Sequence, residues 1–408
     1  MKETDGELKL MGDEQECKKD HNKELIALVQ GLISRNSENP TTTEEEVAAF
    51  VLDTLTQYGI AAEFSWAAPG RPNVVARLSG SRPGPGRKLI LNGHLDVVPA
   101  GAGWSRDPLG GAVEDGKLYG RGSSDMKAGV AAMMYAAITL KRAGNPFCGD
   151  LILFFNVDEE RENAGMKLFL AEDLTADYAI IGEPTGLQLC VGHRGVARYR
   201  LRTRGTPGHT AFTEQPDNAI HKMVPYIVGL AKLSVEVEGR SHPIVGRSSL
   251  TVTQIHGGDA PNMVPGWCVA EIDRRLLPGE TRAQVRTEIE RCLQEAVPDG
   301  DGDAYELENY LFVPASHIDT EHPLVRAAIH AGSRVRAAAG RTDAPRVESF
   351  AATCEAPFFM LDKGIPTLIC GPGSLAQAHT VDEYVEVAQV VEAVQLYIAF
   401  VEELLQAR

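Results

Sequence analysis

Apolar residues follow two rhythms along this chain of 408 residues. Between Lys23 and about Gly59 they recur at helical spacing (Leu25, Leu28, Val29 and Ile33, then Val47, Val51 and Leu55). That spacing predicts two amphipathic helices split by the turn ENPTTTEEE, with Thr42 or Thr43 as N-cap. Short blocks of branched apolar residues follow: NVVARL, KLILNGHLDVV, DLILFFNV and ADYAIIGE. Each reads as a strand, the later ones buried on both faces. Among them lies MKAGVAAMMYAAITLKRAG, a helix whose small residues permit close packing on a sheet. The alternation predicts an α/β fold: a mixed, largely parallel sheet flanked by helices.

After about Leu187 the rhythm changes. CVGHRGVARYRLRTRG alternates apolar and polar residues, as a half-exposed antiparallel strand does. A helix (DNAIHKMVPYIVGLAKLSVEV), two strands (SSLTVTQIHGG and WCVAEIDRRLL), a second helix (TRAQVRTEIERCLQEAV) and a strand near AYELENYLFV complete a β-α-β-β-α-β unit. Beyond Pro314 the first pattern returns, ending in a helix from Val385 to about Leu405. A ferredoxin-like α+β domain over 189–312 is therefore expected inside a larger domain made of 1–188 and 313–408.

Composition narrows the choice of partner. The chain is 43% hydrophobic and 24% charged, with a formal net charge of 40 − 56 = −16. Nucleic acids and anionic membranes call for basic surfaces, so neither is expected as a partner. No apolar run is long enough to span a bilayer. The first 22 residues are charged, lack the apolar centre of a signal peptide, and are expected as a solvated head. Seven scattered cysteines without a CxxC pair fit reduced thiols, hence a cytoplasmic setting.

The chemistry gathers where apolar runs stop. LILNGHLDVV carries His94 and Asp96, GRGSSDMKAG carries Asp125, LILFFNVDEE carries Glu159 and Glu160, YAIIGEPTG carries Glu183, and AQAHTVDEYV carries His379. Ligands of open α/β sheets collect at the carboxyl ends of strands. Two imidazoles with several carboxylates suit a pair of divalent ions, zinc first, with cobalt or manganese as substitutes. Strand periodicity puts Asp96 on the same side as His94, where its carboxylate is expected to orient the imidazole. Asp125 opens a helix and can offer an oxygen to each ion. Glu159 and Glu160 point apart; one would ligate and the other serve as general base. Spacing leaves open which is which, and Glu159 is taken as the base. The turn holding Gly371 and Gly373 offers backbone N–H groups to a substrate.

In order and context, GHLDVVP, LYGRGSSDMKAG, NVDEE, IGEPT and GPGSLAQAHTVDEY resemble the motifs of the co-catalytic zinc deacylases and exopeptidases. That family includes acetylornithine deacetylase, succinyl-diaminopimelate desuccinylase, aminoacylase and glutamate carboxypeptidase. The resemblance implies one zinc held by His94, Asp125 and Glu183 and another by Asp125, Glu160 and His379. It also implies Glu159 as acid/base and a cis bond after Asp125. GTPGHTAFTEQPDNAI resembles the family's lid motif, which implies His209 as an oxyanion donor and a homodimer through the inserted domain. HGGDAPNMVPGWCVAEIDRRLLPGE resembles a substrate-binding segment, which implies roles for Asn262 and Arg274. TCEAPFF is closer to the acetylornithine deacetylase version and implies that Glu355 meets a substrate amine.

Singly, most of these residues would read as capping or surface groups; their ordered combination argues otherwise. Cys354 and Cys370 lack a paired base and read as apolar fillers, and His193, His221, His256 and His317 as structural or solvated. The expected activity is removal of an acyl group from an N-acyl amino acid by a metal-activated hydroxide. A dipeptidase or carboxypeptidase acting on a dipeptide is the alternative, and a non-catalytic binding protein on the same fold the remote one.

Overall fold

The computed structural model describes residues 20–84, 86–212, 217–298 and 305–406. Cys17 and most of the charged head fall outside them, as do positions 213–216 of the lid motif. Helix α1 runs over 20–33, opening inside the stretch expected as a solvated head. Then come α2 (Glu45–Gln57), β1 (Ala61–Ala68), β2 (Arg71–Ser79) and β3 (Lys88–His94). They are followed by α3 (Lys127–Arg142), β4 (Asp150–Asn156), α4 (Ala164–Ala171), β5 (Tyr178–Pro184) and β6 (Leu189–His193). Next are β7 (Gly195–Arg204), α5 (Ala219–Glu238), β8 (Ser249–Gly257), β9 (Trp267–Leu276), α6 (Arg282–Ala296) and β10 (Glu306–Val313). The chain closes with α7 (Pro323–Ala338), β11 (Thr367–Gly371) and α8 (Val387–Leu404).

The chain divides into two compact units. The larger holds the residues up to Val191 with Ile318–Glu348 and Cys354–Arg408; the smaller holds Gly192–His317 with Ser349–Thr353. In the larger unit the strand order is β1-β2-β4-β3-β5-β11-β6. Pairing is parallel through β4, β3, β5 and β11 and antiparallel on both flanks. Four carboxyl ends thus open on one edge, with His94 opposite Asn156 in register.

Helix α3 lies against this parallel centre, and thirteen of its sixteen residues are buried. Small residues are required there: a Cβ on Gly129 would stand 2.4 Å from the Gly182 carbonyl oxygen of β5. Each fully buried Leu or Ile of the adjoining strands contributes roughly 1.5–3 kcal/mol.

Three elements depart from expectation. Strand β1, AAEFSWAA, has only Phe64 and Trp66 to favour a strand and no fully buried residue; it is held as an edge by its ladder to β2. The segment read as one strand from Cys190 is two, parted at Arg194: β6 is wholly buried, whereas β7 alternates. Helix α2 is not capped by Thr42 or Thr43 but begins after Glu44, whose side chain makes no cap bond and instead pairs with Arg71.

The smaller unit is a four-stranded antiparallel sheet, β8-β9-β7-β10, with α5 and α6 packed together. Along β7 the inward residues Ala197, Tyr199 and Leu201 join Met223, Leu230, Ile272 and Leu293 in one core. The outward arginines Arg198, Arg200, Arg202 and Arg204 meet Asp273, Glu271, Glu308 and Glu306 on the neighbouring strands. Period-two alternation separates the two sets.

Candidate metal centre

Strand β3 delivers His94 to the sheet edge, fully buried. Its Nε2 lies 3.1 Å from Oδ1 of Asp125 and 3.8 Å from Oε1 of Glu183. Asp125 ends the turn before α3, at a cis peptide to Met126. Its other oxygen, Oδ2, stands 3.4 Å from Nε2 of His379, and that nitrogen is 3.2 Å from Oε1 of Glu160. Asp125 therefore faces an imidazole with each oxygen, with Glu183 on one side and Glu160 on the other. His379 sits at φ 62°, in the left-handed region, and its side chain is half exposed.

A second cluster adjoins the first. Carboxylate oxygens of Glu159, Glu183 and Glu355 lie within 4.8 Å of one another. Glu355 is completely buried, with the Asn156 side chain beside its carboxylate. Burial raises the pKa of all three acids, and neighbouring charge adds to it: Glu355 acts on Glu159, and Asp125 on Glu183. For His94 burial opposes protonation, but the bond to Asp125 and the charges of Glu183 and Glu159 push it well above the usual histidine value. His379 is pushed up to about 10 by its bonds to Asp125 and Glu160. Burial works against ionisation of Asp125, yet the two imidazoles hold it below the usual carboxylate range.

Asp96 does not act as expected. Nδ1 of His94 lies 2.9 Å from the backbone oxygen of Asp96, while the Asp96 carboxylate is 3.8 Å away at its nearest. That carboxylate instead accepts the N–H groups of Glu159 (3.0 Å) and Glu160 (3.1 Å) and the amide of Asn39 (3.1 Å). It orients the two glutamates rather than the histidine. Asn39 also donates to Asp158 at 2.7 Å. The sequence offered no sign of this: an Asn before Pro40 reads as turn chemistry.

The family described as Peptidase family M20/M25/M40 matches residues 90–403. The chain belongs to that family. An N-formyl-4-amino-5-aminomethyl-2-methylpyrimidine deformylase of Bacillus subtilis (strain 168) is 29% identical over 94% of this chain and 95% of its own. An acetylornithine deacetylase of Photorhabdus laumondii subsp. laumondii is 31% identical over 78% and 79%. Among solved structures, the M20 family metallo-carboxypeptidase Sso-CP2 from Sulfolobus solfataricus superposes with a TM-score of 0.77 at 19% identity, covering 93% of this chain and 98% of that one. This M20 protein is a hydrolase of amide bonds, with the family's sheet and inserted α+β unit.

Other expected site residues of the M20 chain fare differently. In the smaller unit, His209 pairs with Met263 across a short ladder, and Thr210 donates to the backbone oxygen of Asn262, so these two candidates are neighbours. Arg274 corrects the sequence reading. It is fully buried, and its guanidinium is bound by Glu280 at 2.5 Å and by Ser248, with Glu288 at 3.7 Å. Committed inside its own unit, it is not available to a substrate carboxylate. Gly371 and Gly373 are likewise taken, their N–H groups donating to Thr185 Oγ1 (3.2 Å) and Gln389 Oε1 (2.9 Å). Cys354 and Cys370 are buried, and burial drives both thiols up, which leaves them unreactive. Among the described residues no helix is long and apolar enough to cross a membrane.

Proposed function

We propose that this chain is a two-metal deacylase that removes a small acyl group from an N-acyl amino acid or a closely related amide. The carrying observation is Asp125, set between His94 and His379 with one oxygen toward each. Two donors bound tetrahedrally to one ion at about 2.0 Å lie about 3.3 Å apart. The donor pairs around Asp125 fall between 3.1 and 3.8 Å, so the residues fit such ions. His94, Asp125 and Glu183 would hold one, and Asp125, Glu160 and His379 the other. Nitrogen and oxygen donors suit zinc and accept cobalt or manganese. When bound, the ions supply Lewis acidity and lower the pKa of a coordinated water towards ~7.

The protein's own part is proton movement and orientation. Glu159 is the carboxylate left over from the two ligand sets, and it takes the proton of the attacking water and passes it to the leaving amine. Asp96 aims it through the backbone. His209 is the proposed oxyanion donor: its Nδ1 accepts the N–H of Ala211 at 3.0 Å, which puts the ring proton on Nε2. Glu355, a buried carboxylate beside Glu159 and Glu183, is the proposed receptor for an amino group on the substrate; Asn262 is a proposed substrate contact. Both curated relatives are named for loss of a formyl or acetyl group, which favours deacylation over peptide cleavage.

The test is a metal-loaded panel of N-formyl, N-acetyl, N-succinyl and dipeptide substrates with matched side chains. Turnover of the small acyl amides is expected, falling by at least 100-fold in Glu159→Gln with metal content unchanged. Preferred cleavage of dipeptides would overturn the deacylase reading in favour of an exopeptidase, and full activity in Glu159→Gln would overturn the base. In Glu355→Gln, an unchanged preference for amine-bearing over apolar substrates would remove Glu355 from the scheme.

A homodimer through the smaller unit is part of the proposal. Strand β8 is the sheet's end strand and exposes Ile255, while α5, which packs against it, exposes Val224, Val228 and Val235. Such an edge is prone to pair with a second copy. Light scattering should give twice the chain mass, reverting to one chain in Val228→Asp.

A further inference from the structure

We propose that Glu383 is a positioning residue that holds the Asp125 turn and the His379 segment as one piece, and so sets the affinity of the metal subsite formed by Asp125, Glu160 and His379. The inference rests on the ligand assignment proposed above. Glu383 is completely buried, and both its oxygens are saturated by donors from a single turn. Oε1 accepts the N–H groups of Ser124 (2.8 Å) and Asp125 (3.1 Å). Oε2 accepts the N–H of Gly122 (3.1 Å) and the guanidinium of Arg121 (2.6 Å). Arg121 is buried too, with its guanidinium beside the Trp104 ring. Every one of these donors belongs to the turn that ends in Asp125, whereas Glu383 lies one short turn beyond His379.

A second latch lies nearby. Ser124 Oγ donates to the Ser374 carbonyl at 3.0 Å and accepts the Ser374 N–H at 2.9 Å. The two subsites therefore depend on different supports. His94 and Glu183 are carried by adjacent strands β3 and β5, whose ladder fixes their spacing. His379 sits on irregular backbone with positive φ and a half-exposed ring. Its distance from Asp125 is set by how its segment is tied to the Asp125 turn. A carboxylate is the acceptor all four donors can share. An amide in its place would turn an NH₂ towards two of them.

The experiment compares the full-length protein with Glu383→Gln. Zinc per chain is measured by atomic emission, and stepwise zinc affinity by competition with a chromophoric chelator. The unmodified chain should take up two ions. Glu383→Gln should keep one at unchanged affinity and bind the other about 10- to 100-fold more weakly. The ion it loses should be the one lost by His379→Ala, so that adding Glu383→Gln to His379→Ala changes nothing further. Arg121→Lys, which leaves the three backbone donors in place, should show a smaller loss at the same subsite and covers the case in which Glu383→Gln folds poorly. Asp382→Asn, which alters ties to Ser105 and Arg106 and none to the Asp125 turn, should bind both ions normally. Two ions of unmodified affinity in Glu383→Gln, or equal weakening of both, would overturn the role of Glu383. A single ion in the unmodified chain would instead overturn the ligand assignment and this proposal with it.

Discussion

His193 is a buried imidazole with no part in the metal chemistry. Its Nδ1 lies 2.9 Å from the Arg194 carbonyl, and its ring is wholly enclosed. Burial holds its pKa down to about 4 against an ordinary 6.5. The unfolded chain therefore takes up a proton near pH 6.5 that the folded chain refuses until about pH 4. Stability from this residue is complete above pH 6.5 and drains away as pH falls towards 4, by roughly 3 kcal/mol at most. His193→Asn keeps a donor for the Arg194 carbonyl and cannot charge. Urea unfolding at several pH values should show a shallower acid decline in that variant; parallel curves would sink the idea. Asp96 makes the complementary point. A carboxylate two residues after a histidine has both the ring nitrogen and distant backbone within reach, and only the fold decides between them.

Elements tell more of themselves in the sequence than single contacts do. The buried strands were legible because branched apolar blocks ending in an acid or a histidine have few other readings, and the site's ligands came with them. Strand β1 was not legible, since Phe64 and Trp66 stand alone among alanines, Glu63 and Ser65, too weak a strand signal without the β2 ladder. Arg274 was half legible: strand alternation puts it and its neighbour Arg275 on opposite faces, so only one of them can turn inward. Which interior it would enter depends on Glu280 and Ser248, neither visible as a partner from spacing. The N–H groups of Gly371 and Gly373 are consumed by Thr185 and Gln389, and such distant pairings leave no local trace. The contact of α3 with β5 carries its own prediction. Gly129→Ala places a methyl where the Gly182 carbonyl already stands, and overpacking of this kind costs about 1–3 kcal/mol. Denaturant unfolding of the metal-free chain should show that loss; an unchanged midpoint would mean that the helix shifts freely.

At the scale of the whole molecule, the expected ligands, Glu159 and Glu355 all fall in the larger unit, and none in the smaller. Ions that bind only the folded form stabilise it by mass action, by about 2.7 kcal/mol at one hundred times Kd. Calorimetry should therefore resolve a transition that moves down on chelation and another that does not. Equal displacement of every transition would contradict the assignment of the metals to one unit.

Strand β11 has a consequence for how the protein is made. It enters the middle of the larger sheet beside β5, yet it leaves the ribosome only after the whole smaller unit has been synthesised. Until residue 371 emerges, Tyr178–Pro184 presents an open apolar edge to every neighbouring nascent chain. The smaller unit, continuous over most of its length, can fold during that interval. A message truncated before β11 would yield a product with one finished unit and one adhesive edge, and such fragments should be found in aggregates or bound to chaperones.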